Sequence, residues 1–254
     1  TIELDQGTYA NTGFTQWGAS GLAVAWAEEN TRDSIFKAFK RKETFATSGP
    51  RIAVRFFGGY NLSSIDLNSD SLVSEAYKKG VTMGADLMND DNKTPEFIVW
   101  AQKDKNGAPL QRVQIVKGWM DSVSGRPYEK VYDVACSDGL EVDPLTNRCP
   151  DNGARVNISD CSIPQNIGSS ELKTVWQDPE FNSKDKSFYY VRVLENPTCR
   201  WSTWDAISRG FEAREDLHET IQERAWSSPI WYVPQKTGVE VIPLGGSIQL
   251  RSAD

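Results

Sequence analysis

A chain of 254 residues, 39% hydrophobic and 25% charged, is long enough to bury a substantial core in one large or two smaller domains, and its composition suits a soluble globular protein. Nine Trp, eight Tyr and ten Phe exclude a disordered chain, which lacks the aromatic surface that offsets ordering entropy. The net charge of -7 argues against nucleic acid as a main partner, and a single His leaves little material for His-based catalysis or metal binding.

The N-terminal stretch TIELDQGTYANTGF has neither a charged n-region nor an apolar h-region, so any signal peptide is expected to be already absent. No run in the chain is long and apolar enough to span a bilayer. The first clear element lies within AEENTRDSIFKAFKRKETFATSGPRIAVRFF, residues 27–57. Asn30 or Thr31 can cap a helix, Asp33 puts a carboxylate in its first turn, and Ile35, Phe36 and Phe39 fall on one face. Lys37, Lys40, Arg41 and Lys42 suit the partly negative C-terminal end of that helix. ATSGP should stop the helix near Thr44, and RIAVRFF then alternates as a strand, with Ile52, Val54 and Phe56 on one side.

Beyond Gly58 and Gly59 the helical pattern fades. EFIVWAQ, RVQIVKGW, EKVYDVA, ELKTVWQ, SFYYVRVLE and AWSSPIWYV are short, β-branched and aromatic-rich, with turn sequences such as KDKNGAP and DSVSGRP between several of them. Serial short strands of this kind predict an antiparallel sheet or sandwich. DSLVSEAYKKGV and WDAISRG are expected to hold short helices, and the segment from 235 to 254 is poor in packing residues and expected to be loosely attached.

The four cysteines make no close C-x-x-C pair, and an even count in loop-rich sequence favours two disulfides and an oxidising compartment over free thiols. Three connectivities are possible; Cys136–Cys149 and Cys161–Cys199, each bracketing its own stretch, is the expected one. His218 has no second His at metal-ligand spacing, and no nucleophile elbow, Walker loop, dinucleotide fingerprint or EF-hand spacing is present. Two stretches could still bind a ligand. In KRKETFATSGPR, Thr47, Ser48 and the amides around Gly49 could form an anion-binding turn, with charge from Arg41 or Arg51. In ENPTCRWSTWDA, Trp201 and Trp204 could stack on a sugar or another flat ligand, aided by Arg200 and Asp205, although burial as packing residues is the commoner fate of Trp. A carboxylate pair such as Glu28 or Glu29 with Asp205 would do acid/base work only if its environment separated the two pKa values.

Four of these stretches carry a family resemblance. GLAVAWAEENTRDSIFKAFKRKETFATSGPRIAVRFFGGY, IVKGWMDSVSGRPYEKVYDVACSDG, FYYVRVLENPTCRWSTWDA and IQERAWSSPIWYVP, in that order from Gly21 to Pro234, resemble the C-terminal half of the family catalogued as domain of unknown function 3604 (DUF3604). The resemblance implies kinship with the polymerase-and-histidinol-phosphatase (PHP) metallohydrolases, bacterial and often exported, some of which hydrolyse esters or carbamates. It implies an α+β fold: residues 1–58 as the helix-strand remnant of a PHP-type β/α barrel, residues 59–234 as a mainly antiparallel, sandwich-like accessory domain, and 235–254 as a tail. Divalent ions (Zn, Mn or Fe) are expected in the intact family protein, but the family's H-x-H-type and S-D-T-H-type motifs are not found in this sequence, so no metal ligand carries over to it. The resemblance therefore implies a chain inactive alone, whose partner is an N-terminal catalytic region or another copy of itself. In the intact protein, Arg41, Thr47, Ser48 and Arg51 would lie near the substrate's anionic group and the Trp201/Trp204 loop would shape the pocket. The expected location is periplasmic or secreted.

Overall fold

The computed structural model describes residues 2–4, 7–9, 18, 20–235, 239–244 and 247–252, with side chains described for 18 and 20–235. In chain order the strands are β1 (Ile2–Leu4), β2 (Gly7–Tyr9), β3 (Leu22–Ala25), β4 (Thr44–Thr47), β5 (Ala53–Gly59), β6 (Gly80–Thr82), β7 (Asp86–Met88), β8 (Glu96–Gln102), β9 (Leu110–Met120), β10 (Pro127–Cys136), β11 (Glu171–Gln177), β12 (Lys186–Glu195), β13 (Thr198–Cys199), β14 (Thr220–Ile221), β15 (Arg224–Ser227), β16 (Ile230–Val233), β17 (Val239–Leu244) and β18 (Ser247–Ser252). The helices are α1 (Arg32–Lys40), α2 (Leu72–Lys79) and α3 (Trp201–Arg209). β17 and β18 form a hairpin; the packing of the segment beyond 235 lies outside the described residues.

Two sheets build the body. The larger runs β10-β9-β12-β15-β4-β3, with β16 also pairing β12 and β7 joining β16 as the one parallel contact of this sheet. The smaller runs β11-β8-β5-β6. Their inner faces meet in one core: Val54, Phe56, Phe97, Val99 and Ala101 from the small sheet pack against Val113, Ile115, Tyr189, Val191, Val193, Ala225 and Ile230 from the large one. Strand alternation produces this face-to-face packing, because every second residue of each run is apolar. Phe57 and Ile98, of opposite parity, bury instead against Leu72 and Ala76 of α2, so the small sheet is covered on both faces. The expected sheet-rich α+β class is what the chain adopts.

Several expected elements fall in place, and some differ. Thr31 caps α1, its hydroxyl accepting from the Ser34 amide at 3.3 Å. The helix ends at Lys40, earlier than the ATSGP turn suggests, because Thr44–Thr47 is a strand wedged between β3 and β15. The stripe of Ile35, Phe36 and Phe39 is not a buried face: Ala38 is the buried residue of α1, while Phe36 and Phe39 are 61% and 53% exposed. AWSSPIWYV is two strands rather than one, broken at Ser228 and Pro229, which lets β15 and β16 pair different parts of β12. β4 and β5, from residues 1–58, hydrogen-bond to strands of 59–234. No helix among the described residues is long and apolar enough to cross a membrane.

Candidate functional site

The eight candidate binding residues fall in three places. The first is around Glu43, which is buried between α1 and β4. Arg41 lies 3.4 Å from its carboxylate and Arg55 3.5 Å away, and the Tyr77 hydroxyl bonds to it. The Arg55 guanidinium stacks 3.5 Å above the Trp26 ring, whose Nε1 donates to the Val54 carbonyl at 2.8 Å. Trp26, Glu28, Arg41, Glu43, Arg55 and Tyr77 line a concavity of about 640 Å³. Here two guanidinium groups already share one carboxylate, so Arg41 is held as an ion-pair partner. Burial, with the Glu43 hydrogen bond second, raises the pKa of Tyr77 and keeps it a proton donor to that carboxylate.

The second place is the turn after β4, where three of the motif stretches converge. The Thr47 hydroxyl accepts from the Gly49 amide at 3.3 Å, the Ser48 amide donates to the Arg224 carbonyl at 2.9 Å, and the Arg51 amide donates to Asp104 Oδ2 at 2.6 Å. The Ser48 hydroxyl donates to the Glu223 carboxylate and accepts from the Arg224 amide at 2.8 Å. The turn's amides are thus taken by protein oxygens, and the carboxylates of Glu223 and Asp104 are bonded directly to it. Its bonded arrangement serves to lock the turn to β15 and to the 103–108 loop.

Behind this turn sits a residue that inspection of motifs alone does not single out. Glu195, at the end of β12, is 1% exposed, and its Oε1 has no hydrogen-bond partner. Burial first, then the charges of Glu223 and Asp104, push its pKa up to about 8. The ENPT context gives no warning, since the strand alternation breaks there with a register shift between Leu194 and Glu195.

The third place is α3, which begins at Trp201. Trp201 and Trp204, at i and i+3, are 39% and 50% exposed on one side of the helix. Arg200 is buried, stacks 5.0 Å from the Trp201 ring centroid and donates to Ser202 Oγ at 2.8 Å. Asp205 pairs with Arg209 at 2.9 Å. Both disulfides form as expected, Cys136–Cys149 and Cys161–Cys199, the latter tying the loop before β11 to the strand that leads into α3. His218 is exposed.

Asp104, Glu195 and Glu223, whose charges act on one another, do not fit a divalent ion. The orphaned Glu195 oxygen sits where a proton is retained, and no group of three or more His, Cys, Asp or Glu side chains converges in ligating geometry among the described residues.

A family profile described as a protein of unknown function (DUF3604) matches residues 2–234, and the chain belongs to that family. No curated protein and no solved structure matches the chain.

Proposed function

We propose that this chain is the sheet-rich region of a PHP-like, metal-dependent hydrolase of the ester, phosphoester or carbamate class, with catalysis residing on a metal-bearing N-terminal catalytic region rather than on its own side chains. The observation that carries the reading is the half-finished surface of α1. Phe36 and Phe39 stand more than half exposed on α1, which lies beside β3 at the end of the large sheet, and so offer an apolar surface that a further region of polypeptide would cover. Two disulfides support a periplasmic or secreted setting. The test is a hydrolase screen on this chain and on a form carrying a PHP-type catalytic region, each with and without a chelator. Chelator-sensitive turnover confined to the longer form is expected. Robust turnover by this chain alone overturns the proposal.

A second reading, a carbohydrate- or aromatic-ligand-binding module, is favoured by one observation: Trp201 and Trp204 present neighbouring exposed rings on a helix anchored by Cys161–Cys199. It predicts quenching of Trp fluorescence by a panel of sugars, lost in W204A and insensitive to added metal.

A further inference from the structure

The outer face of the large sheet carries a charge pattern opposite to that of the whole chain. Pairing places Arg112, Leu194 and Arg224 in one row across β9, β12 and β15, and Asp133, Gln114, Arg192 and Trp226 in the next row, across β10, β9, β12 and β15. Alternation puts all of these side chains on the face away from the core, whose inner rows hold Val113, Ile115, Val191, Val193 and Ala225.

The second row is wired by hydrogen bonds. Arg192 Nε donates to Gln114 Oε1 at 2.6 Å, Gln114 Nε2 donates to Asp133 Oδ1 at 2.6 Å, and the Cys149 amide donates to Asp133 Oδ2 at 2.8 Å. The Cys136–Cys149 disulfide folds the 137–148 loop back over the sheet, which brings Arg148 Nη1 to 3.4 Å from Asp133 Oδ1. Arg112 Nε lies 3.7 Å from Asp133 Oδ2, beyond hydrogen-bonding range, and this buried nitrogen has no hydrogen-bond partner. Its Nη1 donates to Gln111 Oε1, which also accepts from Gln222 Nε2 at 2.9 Å. These groups surround a concavity of about 520 Å³.

The charges do not balance. Asp133 and Asp151 are the carboxylates in the lining, and Asp151 is engaged by Arg155. Arg112, Arg148 and Arg192 line the same space, with Arg224 beside them, in a chain whose net charge is -7. One buried carboxylate is left to serve three guanidinium groups. Burial lowers the pKa of Arg112; Asp133 opposes that, and the charges of Arg148, Arg192 and Arg224 add to it. A ligand that brought negative charge here would relieve that repulsion, and guanidinium forks match planar or tetrahedral oxyanions bidentately.

We propose that the concavity on the outer face of the large sheet binds an oxyanion group, a carboxylate, sulfate or phosphate of a small ligand, with Arg112, Arg148 and Arg192 as its donors and Asp133 as the residue that positions them. The inference stands on this face alone and does not depend on the hydrolase reading above.

The test is titration of the purified chain with citrate, sulfate and inorganic phosphate by calorimetry, against sodium chloride at matched ionic strength. Binding of at least one of the three at one per chain, weakened about tenfold or more in both R148Q and R192Q, is the expected result. Arg148→Lys should fall between, since an ammonium keeps the charge but loses the fork. The arms also separate the chemistries: citrate alone binding assigns a carboxylate, and sulfate or phosphate alone assigns a tetrahedral anion. Arg148 is half-exposed, so R148Q is expected to fold normally, and circular dichroism checks that it does. No binding of any of the three up to about 10 mM, an equal response to chloride, or an unchanged affinity in a folded R148Q overturns the proposal.

Discussion

Glu195→Gln tests how the buried carboxylate couples folding to pH. The residue is held in a closed space: the Glu195 main-chain amide donates to the Glu223 carbonyl at 3.0 Å, the Glu195 main-chain carbonyl accepts from Gln222 Nε2 at 3.1 Å, and Gly107 lies so close that a Cβ there would sit 2.7 Å from the side-chain Oε1. Lys103, whose charge works against the raised pKa of Glu195, spends its ammonium on the carbonyls of Asp104 and Gly107 at 3.0 and 3.2 Å. The folded protein therefore keeps a proton on Glu195 up to about pH 8, whereas the unfolded chain releases it near the ordinary value of 4.5. Between those values the native state binds more protons than the unfolded state, so stability falls as pH rises through the window, and the whole cost is present above it. At about 1.4 kcal/mol per tenfold change in proton affinity the ceiling is about 5 kcal/mol, and relaxation around Glu223 and Asp104 would bring it nearer 2.

The amide of the Gln variant imitates the protonated acid and cannot ionise. Urea unfolding at pH 5, 7 and 9 should therefore give a stability difference, variant minus wild type, that grows with pH and reaches about 2–5 kcal/mol in favour of the variant at pH 9. Other titrating groups are common to both proteins and cancel in the difference. A difference that stays flat between pH 5 and 9 would refute the reasoning, because it would mean that Glu195 ionises in the folded state as easily as in the unfolded one.

Two further substitutions probe the frame. Lys117 and Asp178 form an ion pair at 2.6 Å in which neither side chain is more than 4% exposed, and Asp178 also accepts from the Tyr189 hydroxyl at 2.7 Å. Lys117→Met strands that carboxylate and should cost about 3–5 kcal/mol in chemical denaturation, with Asp178→Asn in the same chain recovering part of the loss; a cost below about 1 kcal/mol would contradict the burial argument. Gly118→Val places a side chain where the Phe188 ring lies, 2.3 Å from the added Cβ, so the ring must leave its contact with Trp231. The expected cost is about 1–3 kcal/mol with a shifted Trp emission maximum, and an unchanged spectrum would show that the ring had not moved.

Much of the sheet architecture was legible in the sequence because alternation is a local property. ELKTVWQ and EFIVWAQ coincide with β11 and β8, and Ile52, Val54 and Phe56 enter the core on the expected side. The helix over 32–40 was legible too, but its apolar stripe misled, since Phe36 and Phe39 look like core residues on any pattern and what they face is a question of neighbours. TFAT carries only four residues, too few to outweigh the Ser, Gly and Pro that follow it, so its pairing with β3 and β15 came from tertiary context. Lys117 shares parity with Val113 and Ile115, and that alone places a charge on the buried face and demands a partner.

The polar groupings were hidden for a different reason. Arg112, Asp133 and Arg192 each sit in an ordinary strand, and parity says that each faces away from the core. It does not say that β9 lies between β10 and β12, or that the register aligns Asp133 with Gln114 and Gln114 with Arg192. The same holds for Asp104, Glu195 and Glu223, which come from a loop, a bulged strand end and the approach to β15. In both cases an isolated charge has a bland local explanation, and only the sum of like charges in one place lacks one. Three guanidinium groups around one buried carboxylate, and two carboxylates raising the pKa of a third, are arrangements that self-repulsion would disperse unless packing or a ligand held them. At Glu195 a retained proton answers the repulsion. At Arg112 none can, because a guanidinium stays charged throughout the physiological range; Asp133 offsets part of that charge, and the proposed oxyanion would offset the rest.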